Sequence, residues 1–179
     1  GDGAFAFCTS LIDVTMGNSV TNIGVDAFEY CTSLTRLSLP DSVTRIGDDA
    51  FSFCTNLNQV TLGNRVTSIG SFAFGSCASL TNVTIPNSVT RIADRAFASC
   101  TRLSTITVEA SNSFYASVDG VLFDPSQTTL IQCPGGKIGS YTIPDSVTVI
   151  GSHGFHRCGK LTSVTIGASV TNIGKFAFY

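Results

Sequence analysis

The stretch LTNVTIPNSVTRIADRAFASCTR, residues 80–102, decides the fold because its pattern recurs along nearly the whole chain. Equivalent units of 23 residues follow one another, except that one unit takes 35. The units begin at Leu11, Leu34, Leu57, Leu80, Leu103, Ile138 and Leu161. Self-similarity at this period predicts a solenoid, because one unit cannot bury its apolar face alone and must stack on its neighbours.

Within a unit, the alternation of Val83, Thr84 and Ile85 predicts a short strand with valine and isoleucine facing inward. Pro86-Asn87 then predicts a turn, and Ser88 to Ile92 a second short strand. The stretch that holds Ala96, Phe97 and Cys100 is too short for more than a turn or two of helix. The sequence therefore predicts a β-rich, leucine-rich-repeat-like solenoid, with coils of strand, turn, short strand and short helical turn.

Residues 1–179 are expected to form a single array of about seven 23-residue units. The first and last residues fall inside units, which predicts a fragment truncated at both ends, without the polar capping units that solenoids need. Uncapped ends expose apolar ladders, so end-to-end self-association is a further expectation.

The long unit contains an insertion at residues 112–137. Asp119-Gly120 lies between two apolar segments and supplies the positive φ angles of a two-residue hairpin turn. Residues 129–132 are a candidate third strand. We predict a β-hairpin or small antiparallel meander that projects from, or replaces, the helical side of that coil.

Composition excludes several functions. Charged residues make up only 12% of the chain and the net charge is −2, so bulk electrostatics predict no nucleic-acid partner. No apolar run approaches the roughly 20 residues of a membrane span. No nucleophile, phosphate-loop or metal-ligand motif occurs, so the sequence predicts no catalytic residue, metal or cofactor, and a solvated surface for His153 and His156.

The cysteines follow the repeat. We expect a structural ladder of buried free thiols at Cys8, Cys31, Cys54, Cys77, Cys100 and Cys158. In-register Cβ atoms lie about 4.8 Å apart, beyond the usual disulfide range of about 3.5–4.5 Å, which disfavours bridges along the ladder. Cys133 lies off the period, and a bridge from it to Cys158 or Cys100 stays open.

Two candidate binding surfaces follow from the outward positions. Variable residues on the regular first-strand face form a candidate partner-binding surface: Asp13, Arg36, Gln59, Asn82, Thr105, Ser140 and Ser163. A candidate aromatic strip contains Phe7, Tyr30 and Phe53, for which burial beneath neighbours is an equal alternative. Ladders of Thr, such as Thr61 and Thr84, are favoured in strands for their own sake, with ice or carbohydrate binding as the alternative.

The unit from Leu34 to Cys54 resembles the consensus of the BspA-like leucine-rich repeat family, and the resemblance extends from Gly1 to Tyr179. Residues 118–123, together with residues 141–144, also resemble an extended unit common in bacterial members. This resemblance implies a curved right-handed solenoid in secreted or cell-surface proteins of bacteria and some protists, several of which are adhesins. It implies no catalytic residues and no fixed ligand.

The sequence thus predicts a non-catalytic, adhesin-like module that is secreted or on the cell surface and binds an extracellular or host protein. A structural spacer within a larger secreted protein is the first alternative, and an appendage to an enzyme encoded elsewhere in the chain is another.

Overall fold

The structure, a computed structural model, describes residues 1–179 as a solenoid of stacked coils with fifteen short strands and no helix. The first strands of the coils are β2 (Arg36–Ser38), β4 (Gln59–Thr61), β6 (Asn82–Ile85), β8 (Thr105–Val108), β12 (Gly139–Thr142) and β14 (Leu161–Thr165). The second strands are β1 (Asn22–Ile23), β3 (Arg45–Ile46), β5 (Ser68–Ile69), β7 (Arg91–Ile92), β13 (Val149–Ile150) and β15 (Asn172–Ile173). The repeat solenoid that the sequence predicts is confirmed.

Equivalent strands pair in parallel with the register of the sequence repeat. Arg36 lies opposite Gln59, and Arg45 opposite Ser68, each one period apart. In β2, β4 and β6 the inward apolar residues are buried while their polar neighbours are exposed, as at Leu37 between Arg36 and Ser38. Stacking therefore joins the inward side chains of successive coils into continuous ladders.

The segment between the second strand and the cysteine consists of consecutive turns, so the short helical turn expected there is not confirmed. In the unit at 47–54, the amides of Asp49, Phe51 and Phe53 donate to carbonyls of the following coil, each at 2.8 Å. The intervening amides of Ser52 and Cys54 donate to the carbonyl three residues earlier. Asp49 and Phe53 have φ of 53° and 58°, which turns alternate amides along the array axis. A helix would keep all of these bonds within the segment.

The core is a stack of phenylalanines at one repeat position, flanked by Leu, Val, Ile, Ala and Cys. Phe51 and Phe97 lie on either side of Phe74 with ring centroids 5.4 and 5.6 Å from it and nearly parallel planes. All three rings are buried. Offset or parallel stacking at this spacing adds to the gain from burying apolar surface.

The insertion forms a three-stranded antiparallel meander of β9 (Ala116–Val118), β10 (Val121–Phe123) and β11 (Thr129–Gln132). β11 continues in parallel with β13. The meander therefore occupies the second-strand side of its coil, and the expectation that it projects from or replaces the helical side is wrong. Its central strand is buried, because Val121, Leu122 and Phe123 are each 0% exposed.

The insertion also divides the array in two. We call the boundary the seam; on one side lies the coil that contains β7 and β8, and on the other lies the coil that contains β11 and β12. Neither β7 with β11 nor β8 with β12 forms a ladder. The Ile92 amide instead donates to the Tyr115 hydroxyl at 2.7 Å. The core accordingly separates into clusters of 30 and 10 buried residues, with Leu122 in the larger and Val121 and Phe123 in the smaller. Strand β10 thus joins the two halves across the seam.

Candidate functional site

The exposed face of the first strands, here called the strand face, carries the partner-binding positions suggested by the sequence. Arg36 and Gln59 are adjacent in register, as are Asn82 with Thr105 and Ser140 with Ser163. Asp13, Arg36 and Gln59 line an open depression of about 480 Å³, together with Ser38, Thr61 and Pro40. The strand face is therefore a row of polar side chains with a shallow concavity near its N-terminal end.

The seam interrupts this row. Asp13, Arg36, Gln59, Asn82, Ser140 and Ser163 are exposed, whereas Thr105 is half-buried. A Cβ on Gly120 of the hairpin turn would lie 3.1 Å from the Thr105 Cα, which shows how closely the turn covers that position. The Lys137 ammonium donates to the Asp119 carbonyl at 2.6 Å and fixes the turn there. The structure thus separates Ser140 and Ser163 from the other five positions.

Threonines of the second rank use their hydroxyls within the protein. The hydroxyls of Thr44, Thr67 and Thr90 each donate to the carbonyl of the equivalent residue one coil earlier, at 3.0–3.2 Å. Hydroxyls committed to the coil stack are poor ligands for ice or sugar. The exposed Thr61 and Thr84 of the strand face lie in the other rank.

The aromatic strip is a stack of rings along the array. Tyr30 lies between Phe7 and Phe53, with centroid distances of 5.0 and 4.4 Å and planes within 9° of parallel. Tyr30 and Phe53 are half-buried, and Phe7 is 64% exposed. Because neighbouring rings cover each other's faces, the side of the stack presents mainly ring edges. Sugars usually contact ring faces, so this geometry favours a protein partner over a carbohydrate.

The cysteines at the repeat position form a hydrogen-bonded ladder. The thiols of Cys31, Cys54, Cys77 and Cys100 donate to phenylalanine carbonyls in the preceding coil at 3.1–3.3 Å, and these four side chains are buried. Burial raises the pKa of Cys54 and of Cys100 to about 12. All seven cysteines are free; Cys8 is exposed and Cys158 is half-buried.

Cys133 and Cys158 are neighbours across one coil step. The Cys158 thiol lies 3.5 Å from the Cys133 carbonyl, and its hydrogen bonding to the Cys133 thiol, followed by burial, raises the pKa of Cys133. Cys133 nevertheless lies at the phenylalanine position of its coil, because its amide donates to the Gly154 carbonyl as the Phe155 amide donates to Ala177. The Cys158 thiol therefore contacts the Cys133 carbonyl as the other ladder thiols contact phenylalanine carbonyls.

His153 and His156 lie on the turn segment of one coil and are half-buried. Their rings stack on Phe176 and Tyr179 of the next coil, each with centroids 5.6 Å apart. The His153 Nδ1 atom lies 3.3 Å from an Asp94 carboxylate oxygen across the seam. The expectation that both imidazoles are solvated surface groups is therefore wrong. The Asp94 contact could not be predicted from the sequence, because it depends on the insertion bringing distant coils together.

No group of three or more metal-binding side chains comes together, and no helix is long and apolar enough to span a membrane.

In-register 23-residue coils with leucine, phenylalanine and cysteine ladders define the class: a solenoid repeat protein built from leucine-rich units. The BspA-type leucine-rich repeat region matches in six copies over residues 1–118 and 133–179. The chain belongs to this family, and the unmatched residues 119–132 contain β10 and β11.

Several solved bacterial proteins share the fold. A leucine-rich cell surface protein from Faecalibacterium prausnitzii A2-165 is 39% identical, with a TM-score of 0.88 over 99% of this chain and 47% of that one. The pneumococcal vaccine antigen PcpA is 33% identical, with a TM-score of 0.84 over 89% and 40% of the two chains. The T. pallidum leucine-rich repeat protein is 28% identical, with a TM-score of 0.63 over 97% and 64%.

The chain therefore spans less than half the length of the first two of these proteins. No curated protein matches it significantly.

Proposed function

We propose that this chain is a non-catalytic, adhesin-like protein-binding module of a secreted or cell-surface protein, and that its strand face contacts an extracellular or host protein. The observation that carries the proposal is the row of exposed, variable polar side chains in register on a regular scaffold, with the depression beside Arg36 and Gln59. The cell-surface relative from F. prausnitzii supports the location.

The physical basis is the rigidity of the strand face. The backbone beneath Arg36, Gln59 and Asn82 is held by parallel ladders or by adjacent coils, so binding orders few additional backbone angles. Arginine is a frequent interface anchor, and the hydroxyl and amide groups around Arg36 supply hydrogen bonds. Such a surface can discriminate between partners without an enzyme-like pocket.

Replacing Arg36, Gln59 and Asn82 together by alanine is expected to weaken binding of the partner by at least about tenfold, which corresponds to about 1.4 kcal/mol. The measurement is biolayer interferometry against purified extracellular-matrix proteins, starting from whichever protein the unmodified chain binds.

The matched control replaces Asn22, Arg45 and Arg91 of the second strands, which are also exposed, and should bind as the unmodified chain does. Equal affinity of the strand-face variant and the unmodified chain would contradict the site assignment. Absence of binding to every protein tested would favour the structural spacer.

A further inference from the structure

The turn side of the array consists of the segments that run from each glycine corner through the cysteine and the two residues after it. Acidic and basic residues are distributed unevenly along it. Up to residue 93 it contains five acids and no base: Asp2, Asp26, Glu29, Asp48 and Asp49. From residue 94 onward it contains five bases and one acid, Asp94, and the bases are Arg95, Arg102, Arg157, Lys160 and Lys175. All five bases are exposed. We call these two regions the acidic half and the basic half.

Neither half is neutralised within the chain. The only ion pairs of the protein join Asp94 to Arg95 at 3.9 Å and to His153 at 3.3 Å, so all five carboxylates of the acidic half lack a cationic partner. Burial, followed by the charges of neighbouring aspartates, raises the pKa of Glu29 and of Asp49. Burial, followed by repulsion from His153 and Arg157, lowers the pKa of His156. Each half therefore carries uncompensated charge of its own sign.

Both halves also carry aromatic rings at the surface. The stack that ends at Phe7 lies in the acidic half, while the basic half exposes Phe176 and Tyr179. Between them, the Phe72 ring lies 5.9 Å from the Arg95 guanidinium of the next coil. Cations beside aromatic rings and apolar surface are typical of the centre of protein interfaces.

We propose that the turn side is a self-association surface, on which a second copy of this chain docks antiparallel through a two-fold axis. The acidic half of each copy then faces the basic half of the other, and both contacts form at once because the interface is isologous. The axis falls between the coil of Phe72 and the coil of Arg95, which places the Arg95 of each copy opposite the Phe72 of the other. The charges select antiparallel docking, since a parallel arrangement would place like charges together.

The size of the surface sets the strength of the dimer. Seven coils spaced by about 4.8 Å give a length of about 35 Å. With a width of about 15 Å, the contact buries about 500 Å² per copy, below the roughly 800 Å² of a standard stable interface. The dimer is therefore weak and depends strongly on ionic strength, because salt screens its charge pairs. It leaves both strand faces open, so a dimer presents two copies of the proposed partner-binding surface.

Sedimentation velocity over a range of protein concentrations tests the proposal. We expect a reversible monomer–dimer equilibrium at about 20 mM salt whose dissociation constant rises at least about tenfold at 500 mM salt. Monomer at every concentration in low salt overturns the proposal. Oligomers that keep growing with concentration also overturn it, because a two-fold interface closes at two copies.

Charge reversal of each half identifies the surface. The acidic-half variant carries Asp26→Arg, Glu29→Lys and Asp49→Arg, and the basic-half variant carries Arg95→Asp, Lys160→Glu and Lys175→Asp. Repeat positions support folding of both variants. Asp26 and Asp49 are equivalent to Arg95, which has the same positive φ, and Lys175 is equivalent to Asp48 and Asp94.

Each variant alone should be monomeric, whereas an equimolar mixture should form a one-to-one heterodimer, since the reversed halves complement each other. A control with Asp13→Lys, Asp41→Lys and Asp145→Lys changes the net charge as much as the acidic-half variant does, outside the turn side, and should still dimerise. If the control no longer dimerises, the self-association depends on net charge and the proposal is overturned. If the mixture does not associate, the self-association uses another surface and the proposal is likewise overturned.

Discussion

The Phe74→Ala substitution is expected to lower the free energy of unfolding by about 3–5 kcal/mol. Phe74 is 0% exposed, and both faces of its ring are covered by the equivalent rings of the coils on either side. Truncation therefore removes contacts from Phe51 and Phe97 as well as from residue 74 itself. The backbone ladders hold the coils at a fixed spacing, so the cavity cannot collapse easily. A loss of this size is a large part of the total stability of an ordinary domain.

Urea denaturation followed by far-ultraviolet circular dichroism measures this effect. Phe114→Ala is the matched control, because the Phe114 side chain is 50% exposed and its loss should cost about 1 kcal/mol or less. If the two substitutions destabilise the protein equally, the phenylalanine stack does not have the structural role inferred for it.

The repeat pattern was sufficient to predict the solenoid and its register. Leu37 and Val60 are equivalent in the sequence and opposite each other in the structure, because a parallel stack repeats every interaction at the same period. The same logic placed Cys54, Cys77 and Cys100 on one buried ladder. In a repeat protein, knowledge of one coil therefore carries over to its neighbours.

The turn segments were harder to predict, because their conformation depends on bonds that exist only after stacking. Asp49, Phe72 and Arg95 all adopt positive φ, although none is glycine or asparagine. The amides of Asp49 and Phe72 donate along the axis to the Ser71 and Asp94 carbonyls of the next coil. Local propensity favours helical angles for such residues, and the bonds between coils override that preference.

The insertion shows the same limit for the candidate site. The hairpin at Asp119-Gly120 follows from local turn chemistry, and its strands were predictable. The turn covers Thr105, and the central strand fills the core at Leu122. These contacts depend on the tertiary structure, and no local sequence pattern encodes them. The sequence therefore identified the strand face as a row but not the seam that divides it.

The second large effect is a loss of stability in alkali that originates in the buried thiols. Burial raises the pKa of Cys54 and of Cys100 from 9.0 to about 12 in the folded protein. Burial, followed by the neighbouring thiols, also raises the pKa of Cys77. In the unfolded chain these thiols ionise near their ordinary value, so the unfolded state loses protons at a lower pH than the folded state does.

Raising the pH therefore lowers the free energy of unfolding. The stabilising contribution of each neutral buried thiol is fully present below pH 9 and is lost as the pH rises toward 12. One pH unit within that window costs about 1.4 kcal/mol per thiol. Cys54 and Cys100 together therefore lower the free energy of unfolding by about 5 kcal/mol between pH 8 and pH 11.

Urea denaturation at a series of pH values, with reductant present, measures this slope. The Cys54→Ala, Cys100→Ala double variant is the decisive comparison: it should be less stable at pH 7, because two buried sulfurs are lost, yet lose less stability as the pH rises. Tyrosines and lysines titrate in both proteins, so their contributions cancel in the difference between the two curves. Parallel curves from pH 8 to 11 would show that these thiols do not couple ionisation to folding, and that the cysteine ladder is less tightly enclosed than its hydrogen bonds indicate.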